Sequence, residues 1–487
     1  MFTHITQAQK SAYVCLGLFS LFALVLWVPS LFIPFWGDDY FFLTQARDAR
    51  LNGDSWWLPF ISESQTGFWR PLSMDTGWRF VEQVLQGNLL YSHIYSWCLT
   101  LLSLAGIAIF TYQFARAMQW QQPLLIALLT AALHAVHIVT YLPLHWVAAM
   151  NSPTLVFFLS ITLAVWIALP RMQGTKRWLA LLSLPLLQLL SLFSKEPAIL
   201  IPALVVVLAL FLHKQQSYKK MDVAIWFICV GICVVWLYFY KEFTPNRHSA
   251  YGLTLGKNIT INSLSFSAWI FNVPREALRM IVTERFWIGS LWAAVCFIPM
   301  AIVYWISLRT LKPAFTLIQW LAALAFLVIA YGPYFVLADQ AYEYYAAVAM
   351  ILPLLLVARA LLVASKLKIG LLLVGISSLI AVQGTRSAEY PAVIDRAFWA
   401  ERQVEYLQQH PVSVPLLVSI ANEHQFAALG VQGIEWRLGL AKGSVILTHT
   451  CEAKGKPLSD RILVQNPAGD FMWRDCEAVI ESEHVRE

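Results

Sequence analysis

Two adjacent carboxylates, Asp38 and Asp39, stand just after the first long apolar run, in Gly37-Asp38-Asp39-Tyr40. Held side by side such groups repel, which raises the pKa of one of them. A carboxylate in that state can take a proton from an attacking hydroxyl. The pair can equally cap a helix that begins at Tyr40, and the readings are compatible if one Asp caps while the other reacts. Farther on, Phe68-Trp69-Arg70-Pro71-Leu72 sets an arginine before a proline, which holds its backbone extended. A guanidinium so placed suits a phosphate group, or else snorkels to lipid headgroups. Phe193-Ser194-Lys195-Glu196-Pro197 interrupts two apolar runs with a cation and an acid. These two either neutralise each other in a tight turn or line a site beside a lipid phosphate.

A third polar cluster is Leu144-His145-Trp146-Val147-Ala148-Ala149-Met150-Asn151, with His134 and His137 just before it. Three histidines raise the question of a metal, but no carboxylate lies nearby, and polar helix-packing groups are the better reading; no metal site is expected. Cys451 and Cys476 are the only cysteine pair in the C-terminal tail, and an oxidising compartment would let them bridge. Cys15, Cys98, Cys229, Cys233 and Cys296 fall inside apolar stretches and read as packing residues.

The elements that must position these groups are set by composition. Of 487 residues, 59% are hydrophobic and 13% charged, with mean hydropathy +0.62. Half the usual charge cannot coat a water-soluble surface of this size, so an ordinary cytosolic enzyme, a disordered chain and a nucleic-acid binder are excluded. Apolar stretches near 11–35, 91–114, 123–140, 152–170, 177–194, 197–213, 222–240, 286–307, 314–337, 342–363 and 368–384 read as about eleven membrane spans. The first lacks a small-residue cleavage site and reads as a span rather than a removed signal.

Alternate short loops hold 13 bases, among them Arg171, Lys176, Arg177, Lys219, Lys220, Lys366 and Lys368, and one acid, Asp222. The positive-inside rule makes that side cytoplasmic, with the amino terminus inside and the tail outside; a plasma membrane of bacterial type is the expected location. The other acids of the membrane body, including Asp38, Asp39, Glu196 and Glu343, then face outward. The tail, residues 386–487, holds 14 of the 28 acids and 10 of the 34 bases. The expected organisation is a mainly α, polytopic membrane body, 1–384, with outer loops 36–90 and 241–285, followed by a small extracytoplasmic α/β domain, 385–487. In the first outer loop, Tyr40 to Leu51 reads as an amphipathic helix on the membrane, Phe41, Phe42 and Leu43 toward lipid and Arg47, Asp48 and Arg50 toward water. In the tail, a helix over 391–410 and strands over 412–421, 443–449 and 461–465 are expected.

Taken in order, the Asp-Asp pair after span one, Trp-Arg-Pro-Leu, His-Trp-Val-Ala-Ala-Met-Asn, Ser-Lys-Glu and Glu-Tyr-Tyr resemble the motifs of the GT-C superfamily of polytopic glycosyltransferases. The likeness is to the protein O-mannosyltransferase and aminoarabinose-transferase type, spans about residues 10–365 and leaves out the tail. It implies a sugar donor on a polyprenyl-phosphate carrier, an acceptor hydroxyl on a saccharide, lipid or protein, inversion at the sugar, and no nucleotide sugar. It implies Asp38 as base with Asp39 as its partner, and Arg70 and Lys195 at the carrier phosphate. It places Glu196, His145, Asn151, Glu343 and Tyr345 around the cavity. The pattern departs from the family at two places. Tyr344 stands where the family often has Arg, and the segment ending at Asn151 lacks the basic residue the family often carries there.

No P-loop and no dinucleotide fingerprint occurs in the chain, which leaves ATP-driven pumping without support. A phosphate carrier is already a competent leaving group, so no cofactor beyond the lipid-linked donor is required. Two other functions fit the composition: a flippase or transporter of a lipid-linked saccharide, which would carry ionisable groups near the midplane of repeated, broken spans, and a non-catalytic subunit of polysaccharide assembly.

Overall fold

In a computed structural model the described residues are 7–64, 66–245, 252–283, 285–339, 341–389, 391–453, 456–457 and 459–476. Arg247, His248 and Glu284 of the second long loop lie outside them. Eight helices among the described residues are long and apolar enough to cross a membrane, from Gln9–Phe32 to Leu367–Arg386. Pro123–Val136 and Ile138–His145 form one further pair, bent by 67°. The stretches expected as spans over 197–213 and 342–363 are shorter apolar helices, Glu196–Phe211 and Ile351–Val363. The reason is local. Pro197 begins the 3-10 turn Glu196–Leu200 that opens the first, Pro202 lies in the first turn of the α-helix that follows, and residues 343–350 wind as 3-10 and turn before the second begins. Composition carries the apolar run, not these breaks, so eleven uninterrupted helices are not what forms. The protein is nonetheless an integral membrane α-bundle with a small C-terminal sheet.

The long helices define two ends. At one, the helix Gly174–Ser194 starts with Arg177 and the helix Lys220–Phe243 starts with Asp222, and these two form a buried ion pair. Asp222 also accepts from the Lys219 backbone N–H at 2.8 Å, closing the first turn of its helix. The one acid among the basic loops is thereby explained as a cap and counter-ion. At the opposite ends of the same two helices lie Ser194-Lys195-Glu196 and Tyr240. The segment 36–90 gathers there: the Ser64 N–H bonds the Phe243 carbonyl at 2.9 Å, and the Ser73 hydroxyl bonds the Ser194 carbonyl.

The helix after the first span, α2 (Asp38–Leu51), forms as expected but does not lie on lipid as read from sequence. Tyr40 and Leu43 are fully buried, and Phe42 stacks on Trp78 with ring centroids 5.5 Å apart. What covers α2 is the C-terminal unit. Gly433 meets the Tyr40 ring so closely that a Cβ would clash, at 2.8 Å. Arg437 reaches the Tyr40 hydroxyl and Glu401, and Lys442 pairs with Asp48 at 3.0 Å. Of the face assigned to lipid, Leu43 is buried and Phe41 and Phe42 are half-buried, Phe42 against Trp78 of the same outer segment.

That unit contains the helix Val393–Gln409 and four strands, Leu416–Ser419, Val445–Leu447, Arg461–Gln465 and Phe471–Asp475. The first lies between the second and third and is parallel to both, while the fourth adds antiparallel at the edge, Val464 opposite Met472. Cys451 and Cys476 are joined by a disulfide, with Cα atoms 5.7 Å apart, beside buried Leu417 and Ile462.

Candidate active site

The two adjacent aspartates have different environments. Asp39 is 1% exposed and both its carboxylate oxygens are taken: Oδ2 accepts from the Trp36 N–H at 3.2 Å and Oδ1 from the Ala148 N–H at 2.8 Å. Burial raises its pKa well above the ordinary carboxylate range against those two bonds, and repulsion from Asp38 is the smallest contribution. Asp39 therefore ties the start of α2 to the turn Val147–Met150, directly beside Asp38, whose partner the family likeness implied it to be. It does not act as a side-chain cap for a helix at Tyr40, because the bond it makes runs back to Trp36. Asp38, one residue earlier, is exposed at the head of α2. Gly37 just before it has φ +57°, a conformation glycine tolerates, and its N–H donates to the Ala428 carbonyl of the C-terminal unit at 2.7 Å.

Arg70 is held by its neighbour. Trp69 is buried between Phe193 and Phe243, and its indole N–H bonds the Pro59 carbonyl at 3.0 Å. The guanidinium so directed makes a two-pronged pair with Glu196, both bonds 2.8 Å, and lies 4.2 Å over the Phe68 ring. The Tyr240 hydroxyl donates to the same Glu196 carboxylate at 3.3 Å. The neutralising pair expected between Lys195 and Glu196 is thus made by Arg70 and Glu196 instead. An arginine fork matches a carboxylate better than a lysine does, and the extended Lys195 backbone turns the two successive side chains apart.

Lys195, 2% exposed, has no carboxylate ion pair among the described residues. Its ammonium sits over the rings of Tyr344 and Tyr345, at 4.6 and 5.0 Å. Burial first, then Arg70, pushes its pKa well below the usual lysine value. A cation in such a place is poised to gain from an incoming anion. Tyr345 is clamped face to face on Tyr334, centroids 4.2 Å apart.

An aromatic wall joins the two groups. Trp36, beside the aspartates, packs on Trp146 at 4.8 Å, Trp146 meets Tyr342 at 6.3 Å, and Tyr342 stacks with Tyr344 at 5.8 Å, under Lys195. Arg70, Lys195, Glu196 and Tyr345 thus gather near the Tyr344 end of this wall, and Asp38 follows Trp36 at its other end. His145 and Asn151 are both buried and bonded within the protein. His145 is fully buried, with Nδ1 bonded to the Tyr141 carbonyl and Nε2 accepting from Arg386 at 3.0 Å. The Asn151 amide donates to the Ala148 carbonyl and to Met74 Sδ, so it braces the turn that Asp39 holds. Glu343 is also buried and accepts from the Arg275 N–H at 2.6 Å, which anchors its turn.

Several residues here were not singled out from sequence. Arg275 lies 4.4 Å over the Tyr342 ring, and Arg396, from the C-terminal helix, 5.5 Å over Trp36. Asp75, one turn after Arg70, has its pKa raised to about 7, chiefly by burial. It lines a cavity of about 320 Å³ with Asp54, Trp78 and Arg79.

By sequence, no family model and no curated protein matches the chain. By fold it is similar to solved membrane enzymes. Archaeal oligosaccharyltransferase AglB from Archaeoglobus fulgidus, in complex with an inhibitory peptide and a dolichol-phosphate, aligns with TM-score 0.50 and 13% identity, over 96% of this chain and 75% of that one. ArnT from Cupriavidus metallidurans in the apo state aligns with TM-score 0.52 and 13% identity, over 90% of this chain and 86% of that one. The same enzyme bound to undecaprenyl phosphate gives 0.50 and 12% over the same shares. The architecture is the GT-C fold of polytopic membrane glycosyltransferases.

Proposed function

We propose that the protein is an integral membrane glycosyltransferase that moves a sugar from a polyprenyl-phosphate carrier to an acceptor hydroxyl. The observation that carries this is the aromatic wall with an exposed carboxylate, Asp38, beside Trp36 at one end and two basic side chains, Arg70 and Lys195, at the other. Support comes from the fold neighbours, two of which were solved with dolichol-phosphate or undecaprenyl phosphate bound.

The chemistry assigns each group one task. Asp38 takes the proton of the acceptor hydroxyl as its oxygen attacks the anomeric carbon. The bond from that carbon to the carrier phosphate oxygen breaks on the opposite face, so the sugar inverts. The negative charge left on the phosphate falls to Arg70 and Lys195. Glu196 holds the Arg70 fork in place beforehand, and Asp39 holds Asp38. No metal is needed to make the phosphate leave, and the lipid-linked donor is the only co-substrate. In this reading the Arg177 end, with its basic loops, faces the cytoplasm, and the site and the C-terminal unit face outward from a plasma membrane of bacterial type.

The test is transfer of labelled sugar from a polyprenyl-phosphate donor by the purified protein in lipid. Movement of the donor across the bilayer without transfer would replace this reading with the flippase one.

A further inference from the structure

At the end of the bundle remote from the candidate active site, three helices begin side by side. The helices Gln7–Trp27, Pro123–Val136 and Leu367–Arg386 pack on one another. They meet near their last turns, where the Trp27 indole N–H bonds the Ala135 carbonyl at 2.8 Å and the Arg386 guanidinium bonds the Leu26 carbonyl at 2.7 Å. At their first turns they stand apart enough to leave a cavity of about 1000 Å³, closed on another side by the last turn of the helix Ile351–Val363.

The ionisable lining of that cavity is all of one sign. Arg359, Lys366 and Lys368 line it, and among the described residues no carboxylate does. Among those residues the side chains of the three bases make no hydrogen bond and no ion pair; Arg359 is half-buried, 5.5 Å over the Trp120 ring. Gln119, Gln121 and Gln122 add amide donors beside them. The backbone contributes the same sign, because a helix start carries a partial positive charge. None of the three helices that begin here has an acid in its first turn, and those starting at Pro123 and Leu367 have no side-chain cap. The helix Lys220–Phe243, at the same end, is the contrast: Asp222 closes its first turn and neutralises Arg177. The chain is also strained around the cavity. Gln119, Gln122 and Ser365, with φ of 55°, 57° and 53°, are left-handed without being glycine, and all three line it. Strain of this kind clusters at binding and switch sites.

We propose that this cavity holds the phosphate headgroup of an anionic phospholipid. The phosphate oxygens accept from Arg359, Lys366 and Lys368, and Val363 and Ile369, both exposed in the lining, give apolar contact to the chains of the same lipid. Basic pockets between membrane helices on the cytoplasmic side bind such headgroups, and this is the cytoplasmic end in the orientation proposed above. A lipid seated there ties together the starts of three helices, the first of which leads to Asp38 at its other end. The inference stands apart from the transferase reading, since lipid binding is measured with neither donor nor acceptor.

The experiment is native mass spectrometry of the full chain in neutral detergent, titrated with cardiolipin, phosphatidylglycerol and phosphatidylcholine, with inorganic phosphate as competitor. The expected result is that the first cardiolipin or phosphatidylglycerol binds about tenfold or more tighter than phosphatidylcholine. Each base near a headgroup is worth about fivefold in affinity, so Lys366→Gln with Lys368→Gln should weaken cardiolipin about twentyfold. Both lysines are exposed, so the double variant tests charge without disturbing the core. Cardiolipin should raise the Tm of the parent and leave that of the double variant where it was. Lys214→Gln, exposed at the same end but outside the cavity, should bind as the parent does. Equal affinity for cardiolipin and phosphatidylcholine, or a double variant that binds like the parent, overturns the site. The same loss per charge from Lys214→Gln overturns it as well, by reducing it to general surface attraction. Displacement of cardiolipin by inorganic phosphate at matched concentration overturns the lipid as the ligand and assigns the cavity to a free anion.

Discussion

Replacing Arg70 by Met keeps the length of the side chain and removes its fork. What remains is the Glu196 carboxylate with the Tyr240 hydroxyl at 3.3 Å in place of two bonds at 2.8 Å. Removing one partner of a fully buried ion pair costs about 3–5 kcal/mol, and breaking an exposed one about 0–1. With side chains 13% and 26% exposed, this pair falls between, at about 2–3 kcal/mol. For a chain of this size that is a fall in Tm of roughly 4–8 °C, at about 2 °C or a little more per kcal/mol. Glu196→Gln leaves a charged guanidinium with a neutral acceptor and costs less. The double variant recovers part of the loss, since the two residues are coupled by about 2 kcal/mol. Carrier affinity separates the two roles further. Undecaprenyl phosphate titrated into nanodiscs should bind about tenfold more weakly to Arg70→Met, whereas Glu196→Gln should bind at least as well as the parent because the fork is released to the phosphate. Additive Tm losses, or the same loss of carrier affinity from Glu196→Gln as from Arg70→Met, would refute the assignment of Arg70 to phosphate and Glu196 to its support.

Four other outcomes follow from the same geometry. Asp39→Asn sets an amide N–H₂ against one of two backbone N–H donors, and should lower stability by about 2–3 kcal/mol in thermal unfolding; an unchanged Tm contradicts its positioning role. Lys195→Met keeps the stem on Tyr344 and Tyr345 and removes a buried cation, so Tm should hold or rise while carrier affinity falls about tenfold or more. The folded-state pKa of Asp75, about 7, lies above its unfolded value, so its contribution is fully present at low pH and is lost as pH rises from about 4 through 7. Asp75→Asn should therefore flatten the decline of Tm between pH 5 and 8, and a parallel decline in both proteins would count against it. Cys451→Ser opens a loop of sequence separation 25 and should destabilise the C-terminal unit by about 3 kcal/mol, seen as a reductant-sensitive unfolding step in the parent alone.

How far the sequence led depended on the range over which each feature is determined. Asp38, Asp39, Arg70, Lys195 and Glu196 were legible because each is an ionisable group breaking or ending an apolar run, which is a local fact. Their partners were not. Asp39 is satisfied by Ala148, 109 positions away, and Arg70 by Glu196, 126 away. Adjacent Lys195 and Glu196 looked like a pair for lack of that knowledge. The two carboxylates looked equivalent until burial separated them. Arg275 and Arg396 enter the site through helices that only the tertiary fold brings together. The GT-C architecture was readable from motif order, but the breaks at Glu196–Leu200 and 343–350 lie inside apolar stretches whose composition does not reveal them. The helix α2 was found, and its apolar face was assigned to lipid because contacts such as Phe42 on Trp78 and Leu43 near Gly87 depend on tertiary folding. The edge strand Phe471–Asp475 was missed, although the other edge, Val445–Leu447, was found.

The most direct measurement of the central claim is transfer of radiolabelled sugar from a polyprenyl-phosphate donor by the purified protein in lipid, with Asp38→Asn beside the parent. Loss of a general base costs a factor of about 10²–10⁴. The account expects a fall of that size in Asp38→Asn, with unchanged Tm and unchanged undecaprenyl phosphate binding. Transfer at the parental rate by Asp38→Asn would contradict it.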